Sequence, residues 1–584
     1  MSVDDVTLVF EGFTLECSKK ELAQHSDYFK AMFEGNFTER DKGVIKLNGV
    51  DFRALRICLI MLWDKDFVLT DEDMPLVLQT ACMLQFEEII EIVRDKLLIN
   101  LDASNCLKVW FLTEPLNLKP LYLKAKNLAM MEFRTIHSNG TIFNLTFEEL
   151  HQYLANVHLD CKEFEVFIAF MDWHYENGNN VMELLSCLDF NRLSNKEIGE
   201  MMMYPDVKNS LALVNVLECV VDIRKGDNVK NELAEKLLNC NRRVSLIDPL
   251  FFVSLETDAK QKEDDHYRDK YKRRRRSSKI LCHNSVLLYD QNNKDFWKAV
   301  DLCKDKFNGY SGYEIIGYKE QIFLFGGEAS LGTGNWNTNF WMYDTIRESW
   351  DLKGRMPSGR RHFETCIIKN HVYIVGGTGK FRVIQDNMLS YNYVKNIWSK
   401  EIKLPDSGLN VKCCNYMNRL FLFYQNHKCG YLYYPENGCF QQLTIGDMHF
   451  PNIEGKFGVY CYDDRIFIKD SKRLVELRVV LSKMRIVKIS VLPKTALEVS
   501  EKSVLCNDTI FSLYKNDNRN FSIVKFNLLT LNTEYIFRDM TDYRIDKSKY
   551  VFHEDCRVLA LQHHLRLSDK DKYVNTIENL FAKR

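Results

Sequence analysis

The chain has 584 residues, with 79 Lys and Arg against 80 Asp and Glu, for a net charge of −1. That balance excludes a dedicated nucleic-acid binder, which carries a basic excess over a domain or a face. A content of 26 Gly and 10 Pro excludes collagen-like and low-complexity chains, and the length allows about four domains or fewer.

Residues 1–100 mix short strands with helices. Val6-Thr7-Leu8-Val9-Phe10 is an apolar, β-branched run stopped by Glu11-Gly12, so a strand ending in a turn, and Phe13 to Cys17 follows at hairpin distance. Lys20 to Phe33 suits two short helices. Val44 to Leu47 reads as a strand, and Phe52–Trp63 and Met74–Leu84 as amphipathic helices. The longest apolar run, Ala54 to Trp63, holds Arg56 and is too short to span a membrane. The acidic start, Met1-Ser2-Val3-Asp4-Asp5, lacks the apolar stretch of a signal peptide. The 18 Cys are scattered with no CxxC pair, which predicts reduced thiols and a cytoplasmic address.

Residues 101–240 read as nearly all helix. Val109-Trp110-Phe111-Leu112, Phe164-Phe167-Phe170-Trp173 and Leu211-Val214-Leu217 recur at three- and four-residue steps. Residues 241–279 read as a charged linker, because 15 of the 22 residues at 258–279 are charged and cannot bury enough apolar surface to order themselves. The basic run Lys272 to Arg276, followed by Ser277-Ser278, reads first as solvated linker and second as a nuclear-localisation signal or a patch for an acidic partner.

From 280 to 565 the period switches to two. Ile322-Phe323-Leu324-Phe325-Gly326-Gly327 is echoed by Val372-Tyr373-Ile374-Val375-Gly376-Gly377, 50 residues on. Tyr343 precedes Trp350 by seven residues, Tyr391 precedes Trp398, Tyr433 precedes Phe440 and Tyr289 precedes Phe296 by the same step. Weaker copies without the glycines begin near Leu420, Arg465, Thr509 and Arg557. Such a repeat predicts a β-propeller, each unit a four-stranded sheet that buries its faces only by radial stacking. Six blades are expected, the last shared between Tyr550–Gln562 and strands around Ile280–Val300, with 566–584 as a C-terminal tail.

Catalytic chemistry is not predicted. In Val375-Gly376-Gly377-Thr378-Gly379-Lys380 the spacing fails for a phosphate loop, and Phe381 follows the Lys where Ser or Thr is needed. Cys413-Cys414 and His563-His564 are adjacent pairs, unlike zinc ligands. No metal, cofactor or catalytic residue is assigned.

The repeats resemble Kelch repeats. Asp5 to Val9, Leu22-Ala23 and Ser26-Asp27-Tyr28-Phe29-Lys30-Ala31-Met32-Phe33 resemble a BTB domain, and Asn105-Cys106-Leu107 with Phe167 and Trp173 resemble a BACK domain. The ordered series is similar to the Kelch-like, or BTB-BACK-Kelch, family. The resemblance implies a multidomain chain: an α+β BTB domain (1–100), an all-α BACK domain (101–240), the linker (241–279) and an all-β six-bladed Kelch propeller (280–565).

By the same resemblance the protein is a non-catalytic substrate adaptor of a cullin-3 RING ubiquitin ligase, its BTB and BACK domains binding cullin-3 and its propeller an unknown protein substrate. A scaffolding or actin-associated Kelch protein is the alternative. Phe37-Thr38-Glu39, after Met32 and Phe33, stands where the family places its cullin-contact motif, an apolar anchor beside a carboxylate. Arg360-Arg361 fall where Kelch repeats often present an Arg into the central pocket, and Tyr310 and Trp336 are candidate aromatic anchors for substrate. Charge reversal at the two Arg is expected to leave folding intact. The first strand begins within five residues of Met1, so the family's exchanged N-terminal helix is expected to be missing and the BTB homodimer weakened. Neither nucleic acid nor membrane is expected as a partner.

Overall fold

The computed structural model describes residues 5–562 apart from 65, 179–180, 228, 240–242, 244–246, 257–281, 291–294, 303–309, 330–331, 409, 426–428, 446–449, 454, 493–502, 516–520, 541, 546–547 and 552–556. The basic run Lys272 to Arg276, Ser277, Ser278 and the tail 566–584 lie outside the described residues. The chain divides into two compact units, with the boundary at residues 244 and 245.

In the first unit β1 (Asp5–Val9) pairs antiparallel with β2 (Thr14–Ser18) and parallel with β3 (Val44–Lys46). Alternation along β1 turns Val6 and Leu8 inward. They meet Phe29 and the apolar faces of the helices α1 (Lys19–His25), α2 (Asp27–Glu34), α3 (Phe52–Trp63), α4 (Met74–Met83) and α5 (Glu87–Ile99), which form one core. The helical remainder comprises α6 (Cys106–Thr113), α7 (Lys119–Met131), α8 (Phe133–Ser138), α9 (Phe147–Leu154), α10 (Glu163–Asn177), α11 (Val181–Leu184), α12 (Asn195–Met202), α13 (Pro205–Lys208), α14 (Leu211–Lys225) and α15 (Glu232–Asn239). Capping boxes at Thr146 with Glu149 and at Ser194 with Glu197 start α9 and α12 by pairing backbone donors that a first turn leaves free. Leu112, Leu116 and Leu118, at the α6–α7 turn, pack on the N-terminal core.

Past α15, Arg243 returns into the helical domain. Its Nε donates to Glu163 Oε1 at 2.8 Å and its Nη2 to Glu163 Oε2 at 3.1 Å. The guanidinium also donates to the carbonyls of Asn156 and Cys187, and the Arg243 backbone N–H donates to Asp189 Oδ2. The Arg243 and Glu163 side chains are 1% and 0% exposed, so both charges are satisfied without water. The sequence reading put residue 243 in a linker; the structure makes it part of the domain before.

The second unit is all-β. It begins with β4 (Ile247–Glu256), which also falls in the span read as linker. The apolar run Leu250-Phe251-Phe252-Val253 supplies a strand there that the charge of 258–279 obscured. β5 (Cys282–Asp290) and β6 (Asp295–Leu302) follow. The next four blades but one are plain. Blade one is β7 (Tyr310–Tyr318), β8 (Gln321–Ala329), β9 (Asn339–Asp344) and β10 (Ser349–Arg355). Blade two is β11 (Glu364–Ile368), β12 (His371–Val375) and β13 (Asn387–Asn392), with β14 (Ile397–Trp398) and β15 (Ile402–Lys403) both on β13. Blade three is β16 (Val411–Tyr416), β17 (Arg419–Tyr424), β18 (Cys429–Tyr434) and β19 (Cys439–Ile445). Blade four is β20 (Gly458–Tyr462), β21 (Arg465–Lys469), β22 (Arg473–Val480) and β23 (Lys483–Val491). A short parallel pairing of Thr444 and Ile445 with Lys483 and Met484 joins the outer edges of blades three and four.

Blade five is β24 (Ser503–Cys506), β25 (Thr509–Lys515), β26 (Phe521–Asn527) and β27 (Thr533–Met540). The hairpin of β28 (Asp542–Ile545) and β29 (Ser548–Val551) and then β30 (Arg557–Gln562) add to β4. Blade six is thus β30-β4-β5-β6, made from both ends of the unit, and β30 packs against β24 and β7 on either side. The ring closes as expected, but its N-terminal share starts at Ile247 instead of about residue 280. The seven-residue aromatic spacing is a hairpin register: Tyr343 faces Trp350, Tyr391 faces Trp398, Tyr433 faces Phe440 and Tyr289 faces Phe296 across the two outer strands of their blades.

Candidate protein-interaction sites

In the first unit the chain leaves α2 at a fixed angle. Ser26 caps α2 by accepting from the Phe29 N–H at 3.1 Å, and its hydroxyl donates to the Leu84 carbonyl. Phe29 and Phe33 are buried, and Met32 packs against the same core half-buried, so this helix cannot roll. Gly35 ends it, where any Cβ would sit 2.4 Å from the Ala31 carbonyl oxygen. The next loop is turned by Arg40 N–H to Phe37 O (3.2 Å) and Lys42 N–H to Glu39 O (3.1 Å), and Lys19 Nζ holds the Arg40 carbonyl at 2.9 Å.

Phe37 stands 59% exposed on this pinned loop. Glu39 accepts from Lys42 Nζ at 3.1 Å and from the Thr38 hydroxyl at 3.0 Å. Those two hydrogen bonds, Lys42 first, hold its carboxyl below the usual range and keep it charged at neutral pH. The arrangement presents an apolar ring and a fixed anion side by side. Of the four residues expected there, Phe37 and Glu39 face solvent, Met32 is partly covered, and Phe33 is core.

At one end of the propeller the second-to-third strand loops and the blade-to-blade connections lie together, because antiparallel strands alternate in direction. The expected substrate residues fall here. Arg360 is 0% exposed. Its guanidinium donates to the carbonyls of Gly376 (3.3 Å) and Asn387 (3.0 Å), to Asn387 Oδ1 and to Ser358 Oγ. Burial pulls its pKa down to about 10, still charged at neutral pH. Arg361 donates to Glu328 Oε2 at 2.8 Å, and its backbone pairs both ways with Thr378. The Glu328 carboxyl is held low by the Gly334 and Gly332 N–H groups, and then by Arg361.

The expectation of two arginines projecting into an open pocket is therefore corrected. These guanidiniums supply the donors that loop carbonyls and a buried carboxylate lack, and they tie blade one to blade two. Trp336 lies half-buried over Gly359, where a Cβ would fall 2.4 Å from its ring. Tyr310, also half-buried, opens β7 opposite Ala329.

Sequence reasoning missed Arg243, Glu163 and Glu328, whose charge partners lie 80 residues away for the first two and 33 for the third. It also passed over Phe381, noticed only as the residue that spoils a phosphate loop. No group of three or more His, Cys, Asp or Glu side chains suited to a metal occurs among the described residues, and no described helix is long and apolar enough to cross a membrane.

Comparison with known proteins agrees with this layout. Residues 2–101 match the BTB/POZ domain, residues 106–203 the family described as BTB And C-terminal Kelch, and residues 359–401 the Kelch motif. The Kelch match covers blade two, which carries Arg360 and Arg361. The chain is 24% identical to human Kelch-like protein 38, over 72% of this chain and 69% of that one. It is 22% identical to Kelch-like protein 25 of Xenopus laevis, over 72% and 68%. With Kelch repeat and BTB domain-containing protein 3 of Pongo abelii it shares 19%, over 78% and 72%.

Proposed function

Because the chain is a member of the BTB-BACK-Kelch family, we propose that it is a non-catalytic substrate adaptor of a cullin-3 RING ubiquitin ligase. The N-terminal domain and the α6–α7 pair take cullin-3, and the propeller takes the protein to be modified. The observation that carries the reading is the Phe37 ring, exposed on a loop held at both ends, with the ionised Glu39 beside it. An exposed aromatic on a rigid loop loses little entropy on docking, and a fixed carboxylate sets the register. The reading places the protein in the cytoplasm. Free thiols such as Cys58 and Cys106 suit a reducing compartment.

The test is calorimetry of the full chain with the cullin-3 N-terminal domain. The double variant Phe37→Ala with Glu39→Ala is expected to lose about 2 kcal/mol or more, roughly thirtyfold in affinity. Wild-type binding weaker than about 100 μM, or a variant that binds as wild type does, refutes the reading.

A further inference from the structure

The second-to-third strand connection differs greatly among the blades. In blade four it is the tight turn Asp470 to Lys472, whereas in blade two it runs from Gly376 to Asp386. Gly376 and Gly377 begin it at φ +62° and +90°; a Cβ on Gly377 would meet Phe363 at 2.7 Å. The loop is then tied to itself, Gly379 N–H to Val383 O at 2.8 Å and Gln385 N–H to Gly377 O at 2.9 Å. Thr378 ties its base to Arg361.

At the tip, Phe381 and Arg382 hold φ of +57° and +60°, a region that side chains other than Gly rarely adopt. Phe381 is 86% exposed and has Lys380 Nζ 5.0 Å from its ring centre. Val383 and Ile384 are exposed behind it. Among the described residues neither Lys380 nor Arg382 closes an ion pair, although Arg382 is near enough to help hold Glu328 ionised. A strained backbone that holds an aromatic ring in water, between two exposed cations, does nothing for folding by itself; strain of this kind collects at binding elements.

We propose that the Lys380–Ile384 tip is the contact element of the propeller's partner site, and that it takes an acidic protein segment bearing an apolar side chain. This rests on the reading that the propeller captures a protein. The ring and the two aliphatic residues cover the partner's apolar group, and Lys380 and Arg382 pair with carboxylates on either side of it. Arg360, Arg361 and Glu328 are positioning residues that fix the root of the loop. Two cations fall short of the four to eight that mark an anionic-membrane patch, and of the row of phosphate contacts that nucleic-acid affinity requires.

The experiment selects a phage-displayed library of random 12-residue peptides on the immobilised full chain, then titrates synthetic copies of the selected peptides. Phe381→Ser and the double variant Lys380→Glu with Arg382→Glu serve as comparisons. Selected peptides are expected to carry several Asp or Glu around an aliphatic or aromatic residue. Each variant should weaken them tenfold or more, with the thermal midpoint unchanged because the tip is exposed. Selection with no acidic enrichment, no enriched peptide at all, or variants binding within twofold of wild type overturns the proposal. So does preferential binding of phosphatidylserine vesicles or a thymidine oligonucleotide. Cullin-3 affinity, measured in parallel, is expected to be the same in all three proteins; its absence in wild type refutes the ligase assignment and leaves the peptide result standing.

Discussion

Replacing Arg243 by Met tests whether the helical domain extends past its last helix. The side chain of Arg243 makes a two-pronged ion pair with Glu163 and donates to two backbone carbonyls, all out of water. Methionine keeps much of the volume and removes every donor. What remains is an uncompensated carboxylate in a site from which water is excluded, at a cost of about 3–5 kcal/mol. For a unit of this size, each kcal/mol lowers the melting midpoint by about 2–4 °C, so a drop of about 10 °C is expected. Calorimetry on the full chain resolves this if the lower transition alone moves, and hydrogen exchange should show faster opening in α10 and α15. The double variant Arg243→Met with Glu163→Met removes the stranded charge as well. It should be more stable than the sum of the two single changes by about 1–3 kcal/mol. The full recovery is not expected, because the Asp189 N–H loses its acceptor and the Asn156 and Cys187 carbonyls each lose a donor. A single variant that loses less than about 1 kcal/mol, or a double variant additive within about 0.5 kcal/mol, refutes the reasoning.

Two further outcomes follow from buried charge. Arg361→Glu sets a carboxylate against Glu328, and Arg360→Glu sets one against the Gly376 and Asn387 carbonyls. Each should destabilise the propeller by about 3 kcal/mol or more in urea unfolding, where a solvent-facing loop charge would move it by less than about 0.5. His151 lies buried against Ser186 Oγ at 3.0 Å, and burial lowers its pKa from 6.5 to about 4. A depressed histidine leaves the unfolded chain binding the extra proton first, so the first unit keeps its full stability above about pH 6.5 and loses it as pH falls toward 4. Between pH 7 and 5 the loss from this group is about 2 kcal/mol, and His151→Gln should flatten that part of the pH profile.

What could be read from the sequence was whatever short-range pattern controls. The alternation of Val6, Thr7 and Leu8 placed β1, and the seven-residue aromatic step placed outer hairpins because a tight turn fixes which residues face each other. The double glycines marked blades one and two because only Gly enters those backbone angles without collision. Harder to see were elements whose partners are distant. β4 pairs with a strand about 300 residues later, and its apolar run sits beside the most charged stretch of the chain, so composition averaged over 241–279 concealed it. Arg243 was hidden for the same reason.

The two arginines and the phenylalanine of blade two show why residue type alone does not tell which side chains reach solvent. Arg is enriched both at interfaces and wherever a loop leaves carbonyls without donors, and its five N–H groups serve either use. What decides is the local supply of acceptors. In blade two the turn at Gly376–Gly377 carries the backbone out of the sheet just past β12, so the Gly376 and Asn387 carbonyls there face Arg360 and receive its donors. Arg361 answers the buried Glu328 in the same way. Phe381 has the opposite fate for a related reason. A loop of eleven residues, cross-tied by its own hydrogen bonds and anchored at Thr378, is too short and too strained at its tip to fold the ring back onto the blade. Burial of the arginines thus fixes the root of the loop, and that rigid root is what leaves Phe381 projecting into solvent.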